Sequence, residues 1–206
     1  MPEQPTPAWA RRPSISNPRV QRTRARILTV ARELLPEVGP TGLTYALLAE
    51  RASVTRQTLY RHWPTRAALL FDLILEGPDV GYPEPGDDLR TVATAWLTSL
   101  RAGLTDPATR PAVLAVTAQA DYDADSAQAL TRIGTDRLGA LNKLLKPSGR
   151  QITADEYTLL FGPVMSRLFF DRRDVTDEFI DAVVTQWLTT VDRTPPPGHD
   201  TEKTPS

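Results

Sequence analysis

Thr55, Arg56, Gln57 and Thr58 are four consecutive residues whose side chains all form hydrogen bonds. Arginine can grip the N7 and O6 atoms of guanine with two donors, and glutamine matches the N6 and N7 edge of adenine, so this pair suits the reading of a DNA major groove. Tyr60, Arg61 and His62 follow within the next turn and offer donors at the height of phosphates, as does Arg66. His62 suits a phosphate contact or simple packing, and Tyr60 suits a core aromatic as readily as a polar contact. Catalytic chemistry has no comparable signature. The chain has no Cys and two His, which excludes thiol nucleophiles, disulfides and zinc ribbons. It has no nucleophile elbow, phosphate-cradling glycine loop or dinucleotide fingerprint. Asp121, Asp123 and Asp125 alternate like the start of a calcium loop, but the sixth position would be Ser126 and the twelfth Arg132, so they are read as a polar connection and helix cap. No metal, cofactor or enzymatic activity is expected.

Charge supports the same reading once it is divided along the chain. The 206 residues carry a net charge of -1. Residues 1–76 hold 11 Lys and Arg against 6 Asp and Glu, a net of +5, while the remainder holds 13 against 19. A basic first third and an acidic remainder suggest that one end alone meets a polyanion. No apolar run reaches the roughly 18 residues of a membrane span; Asp72 interrupts the greasiest stretch, Ala67 to Leu75. With no signal-peptide core at the N-terminus, a cytoplasmic location is expected.

Helices must position these donors. Ile27, Leu28, Ala31, Leu34, Leu35 and Val38 recur at helical spacing, and Gly39 and Pro40 end that helix. Thr44 can cap a second helix from Tyr45, with Leu43 and Leu48 forming a hydrophobic staple, and Thr55 can cap a third with Val54 and Leu59. Pro64 stops the third helix, and Thr65 caps a fourth from Arg66 to about Glu76. Ala49 permits close approach and Ser53 sits at the turn, which is helix-turn-helix geometry with the first residues of the third helix projecting into a major groove.

Five further helices are expected, over 87–104, 107–122, 125–145, 153–170 and 176–192. Thr153 and Glu156 form a capping box. The fold class is therefore all-α, with about nine helices: an N-terminal three-helix helix-turn-helix domain and a C-terminal helical regulatory and dimerisation domain. Residues 1–18 and 195–206, rich in proline, read as disordered tails. Residues 19–76 form the DNA-binding domain including the linking fourth helix, and residues 77–194 the effector-binding and dimerisation domain, entered through a Gly77–Gly86 linker.

At Leu48-Ala49-Glu50-Arg51-Ala52-Ser53-Val54-Thr55 and Thr58-Leu59-Tyr60-Arg61-His62-Trp63-Pro64-Thr65-Arg66, with Leu43-Thr44 and the helix of Ile27 to Val38 before them, the chain resembles the TetR family of transcriptional regulators. The resemblance is strong over residues 19–76. Beyond them, Phe161-Gly162-Pro163 through Arg167-Leu168, and Phe179 to Leu188, look like the family's dimerising end. Ser53 stands where the family usually has Gly, Arg66 where Lys is commoner, and Pro36 within the first helix is unusual.

The resemblance implies Thr44, Tyr45, Thr55, Arg56, Gln57, Thr58, Tyr60, Arg61, His62 and Arg66 as DNA contacts, and makes the Tyr60 hydroxyl a phosphate or base partner. It implies a homodimer with Phe161, Val164, Leu168, Val184, Trp187 and Leu188 at the interface, a palindromic double-stranded operator, and a repressor released by a small-molecule effector. Trp96, Gln119, Tyr157 and Phe161 are the candidate effector-pocket residues. Arg11, Arg12, Arg19, Arg22, Arg24 and Arg26 form either a minor-groove arm or ordinary solvated charge. The rival reading is a helical ligand-binding or scaffold dimer without specific DNA binding.

Overall fold

The computed structural model describes residues 18–75 and 83–191. The expected tails, with Arg11 and Arg12, lie outside them, apart from Pro18 at the head of the first helix. The described residues are all-α with nine α-helices: α1 Pro18–Gly42, α2 Tyr45–Arg51, α3 Arg56–His62, α4 Arg66–Leu75, α5 Leu89–Thr105, α6 Thr109–Gln119, α7 Ala124–Leu144, α8 Ala154–Phe169 and α9 Asp177–Val191. A short 3-10 turn, Lys146–Ser148, follows α7.

The local signals act where they stand in the chain. The α1 run breaks at Gly39, whose φ of 68° suits a residue without a β-carbon. Thr44 caps α2 by accepting the Leu47 N–H, and Thr65 caps α4 by accepting the Ala68 N–H, both at 3.2 Å. Asp123 caps α7 by accepting the Ser126 N–H at 2.8 Å and its hydroxyl at 2.5 Å, which gives the aspartate cluster a structural use. Thr153 and Glu156 close a reciprocal capping box at the head of α8.

Two compact units divide the chain, one containing residues 1–79 and 103–134, the other 80–102 and 135–206. The first therefore contains more than the helix-turn-helix segment. Its core joins Ile27, Leu28, Ala31 and Leu35 of α1, Leu48 of α2, Leu59 of α3, Leu69, Leu70 and Leu73 of α4, Ala112 and Val116 of α6, and Ala129 of α7. Each such leucine contributes about 1.5–3 kcal/mol relative to exposure. α6 packs on both α1 and α4, so the first four helices share their core with a later segment.

In the second unit α8 packs along α9. Val164 and Leu168 of α8 and Val184 and Trp187 of α9 are buried there, and the Trp187 indole donates to the Glu156 carbonyl at 2.8 Å. Arg90 and Arg101 of α5 pair with Asp181 and Asp177 of α9 at 2.9 and 2.7 Å. The expectation that Val164, Leu168, Val184 and Trp187 face a second subunit is thus revised: these side chains fill their own chain's core. Phe161 and Leu188 remain partly exposed.

Candidate nucleic-acid interface

α2 and α3 meet through a tight turn. The Val54 N–H donates to the Ala49 carbonyl at 2.9 Å, and Ser53 takes the left-handed region with φ 49°. That conformation costs a residue with a side chain roughly 1–2 kcal/mol, which the buried Leu48–Leu59 core offsets. Thr55 starts α3 by accepting the Thr58 N–H at 3.2 Å, and the two threonine hydroxyls lie 2.9 Å apart. These hydroxyls are engaged in capping. Arg56 and Gln57 are different: both are exposed in the first turn of α3, and their side chains make no hydrogen bond or ion pair among the described residues. Their donors are available for base edges.

The far end of α3 is held by Trp63, a buried residue whose N–H donates to the Leu59 carbonyl at 2.8 Å. Its indole N–H donates to Asp72 of α4 at 2.6 Å, and Arg24 of α1 donates to the same carboxylate oxygen at 2.5 Å. Arg24 also lies over the indole, 5.7 Å from its centroid. The structure therefore places Arg24 in the body of the domain, while Arg19, Arg22 and Arg26 lie exposed on α1.

Tyr45 turns inward. Its hydroxyl lies 2.7 Å from the Trp63 carbonyl and 2.9 Å from the Thr65 carbonyl, so its one proton is shared between two acceptors. Burial, then Tyr60, raises its pKa above the ordinary value, and Arg66 opposes them. A hydroxyl with its proton so committed cannot donate to a phosphate, which corrects Tyr45 from a direct contact to a residue that sets the spacing of α2 and α3. Tyr60 packs on it with ring centroids 4.9 Å apart and stays more than half exposed.

A cleft of about 250 Å³ opens beside these rings, lined by Thr41, Leu43, Thr44, Tyr45, Tyr60, Pro64 and Arg66. The Nε of Arg66 is buried there without a hydrogen-bond partner among the described residues. Burial lowers the Arg66 pKa, yet a guanidinium stays protonated at any working pH. The chemistry is that of an anion seat. His62 is half-buried against Trp63, with ring centroids 5.4 Å apart. Burial, then Arg61 and Arg24, lowers its pKa, so the ring is held neutral. Arg61 is exposed.

In the second unit Trp96, Tyr157 and Phe161 form a run of aromatic contacts, with centroids 6.4 and 4.8 Å apart. Gln119 is exposed at the end of α6, in the first unit. Asp72, which anchors the end of α3 through Trp63, was missed by sequence reasoning; a lone acid within the apolar α4 was the available signal.

The profile of the bacterial regulatory proteins of the tetR family matches residues 27–73. The HTH-type transcriptional regulator YdeS of Bacillus subtilis is 34% identical over 79 residues, which span 37% of this chain and 40% of YdeS. The crystal structure of the TetR family transcription regulator SCO0332 is similar with a TM-score of 0.66 and 26% identity, over 84% of this chain and 99% of that one. Salmonella enterica GusR is similar in fold, with a TM-score of 0.60 and 22% identity over 83% of this chain and 96% of its own. The multidrug binding protein EbrR, complexed with imidazole, gives 0.56 and 19% over 89% and 97%. The helix-turn-helix and the arrangement of the later helices thus point the same way: residues 27–73 match the tetR family of bacterial regulatory proteins, and the chain as a whole is similar to a TetR family transcription regulator.

Proposed function

We propose that this chain is a transcriptional regulator, a repressor that binds a palindromic operator as a homodimer and is released by a small-molecule effector. The observation that carries the DNA-binding reading is the pair Arg56 and Gln57, exposed and uncommitted at the start of α3. Arg56 and Gln57 read base edges; Thr44, Tyr60, Arg61 and Arg66 hold phosphates, with Arg66 at the anion cleft. Thr55 and Thr58 fix the first turn, and His62 packs against Trp63 at the other end of α3. DNA binding belongs to residues 19–76, and effector binding and dimerisation to residues 77–194. With chromosomal DNA as partner, the place of work is the cytoplasm.

The surface assigned to the second copy is the outer stripe of α8. Leu159 is 53% exposed and Phe170, just past the helix, 83% exposed. Gly162 and Ser166 lie between them at helical spacing, and a β-carbon at Gly162 would meet nothing within 4 Å. Two such stripes can approach closely, with Phe161 and Leu188 at the margin. A two-fold dimer presents two recognition helices, hence the palindrome. The aromatic run of Trp96, Tyr157 and Phe161 supports an effector with apolar or aromatic surface, in keeping with the drug binding stated for EbrR. Such a molecule acts only through better binding to the conformation that fits DNA poorly.

The test is selection of bound sequences from random DNA by the full chain. A palindromic motif with affinity falling steeply as salt rises is expected; absence of any enriched sequence would support the scaffold reading instead.

A further inference from the structure

Arg32 lies on the inner side of α1, away from the residues assigned to DNA. One guanidinium nitrogen donates to the Leu73 carbonyl at 2.9 Å, and the other donates to Asp106 at 2.7 Å. Leu73 stands two residues before the last described residue of α4. The same Asp106 oxygen accepts the N–H groups of Ala108 and Thr109 at 3.1 and 2.7 Å, at the start of α6. Burial raises the Asp106 pKa, but the Thr109 N–H and hydroxyl, Arg32 and the Ala108 N–H together hold it below the ordinary value. The acid is therefore charged at neutral pH.

One residue before Leu73, the Asp72 side chain holds Trp63 at the end of α3. Consecutive residues of α4 are thus held on two sides, one by the recognition helix and one by a cation fastened to the start of α6. We propose that the Arg32–Asp106 pair is a joint that positions the recognition helix without touching DNA, an inference that rests on the DNA-reading assignment above. The joint sets where the end of α4 sits, and Asp72 carries that position to Trp63. Specific binding, which needs Arg56 and Gln57 in register with base edges, depends on it. Nonspecific binding, which needs only cations near phosphates, does not.

Asp106→Asn isolates the joint, because an asparagine oxygen still accepts the two N–H groups at the start of α6 but carries no charge for Arg32. Affinity of the full chain is measured for a selected operator and for random DNA of equal length, together with amide hydrogen exchange over residues 59–63. The expected result is about a tenfold loss on the operator, a change within about twofold on random DNA, and faster exchange in the 59–63 segment. Arg32→Gln should match it, and the double variant should lose no more than either single. Equal losses on both DNAs, additive losses, or unchanged selectivity with unchanged exchange would overturn the joint. If the unaltered chain selects no sequence, the DNA-reading assignment fails, and the exchange measurement still decides whether Asp106 controls the end of α3.

Discussion

The Asp72 carboxylate accepts the Trp63 indole N–H at 2.6 Å, which fastens the residue ending α3 to the helix that follows it. Trp63→Phe keeps an aromatic ring, though a smaller one, and removes that donor, and should cost about 1–2 kcal/mol of stability. Asp72→Ala should cost more, about 2–3 kcal/mol, because the same oxygen also receives Arg24. Urea unfolding of the full chain measures both; a larger loss for Trp63→Phe would contradict the central place given to Asp72.

Ser53→Gly should stabilise the protein. Ser53 holds a φ of 49°, a conformation that costs any side chain steric energy and costs glycine almost none. The expected gain is about 0.5–1 kcal/mol, visible as a raised melting temperature. A decrease would mean that the Ser53 side chain contributes more than its backbone costs.

His62 gives a pH dependence with a definite sign. Its pKa is lowered from 6.5 in the folded chain, so the unfolded chain binds the proton more readily. The stability it contributes is present above pH 6.5 and is lost as pH falls below 6.5 through the folded value. His62→Gln should therefore flatten the decline in the urea midpoint over that acid window; an unchanged slope would show that other groups govern it.

The dimer assignment separates two kinds of charge insertion. Leu159→Glu or Phe170→Glu should yield a folded monomer, since both positions are exposed. Val184→Glu or Trp187→Glu should unfold the chain, because these residues are buried within it. Sedimentation with circular dichroism distinguishes the outcomes, and an intact dimer carrying both exposed substitutions would move the interface elsewhere.

What was legible in the sequence was mostly local. Thr44, Thr55, Thr65 and Thr153 act within three residues of themselves, so their caps could be read directly. The turn at Ser53 followed from its place in the motif. Periodicity marked Val184 and Trp187 as apolar but could not say whether α8 or a second copy covers them. The resemblance implies Tyr45 as a DNA contact, and its inward acceptors, 18 and 20 residues away, leave no local signal against that. Arg32 and Asp106, 74 residues apart, gave no pattern at all, and neither did the packing of α6 on α1 and α4. Such contacts are set by tertiary packing, which spacing along one helix does not encode.

The central claim is that Arg56 reads sequence while Arg66 holds backbone, and paired titrations of Arg56→Ala and Arg66→Ala on a selected operator and on random DNA test it most directly. Arg56→Ala should cost about 1–3 kcal/mol on the operator, relax the preference at one position and leave random DNA nearly unaffected. Arg66→Ala should weaken both DNAs alike and reduce the salt slope by about one. Equal losses on operator and random DNA for Arg56→Ala would contradict the account.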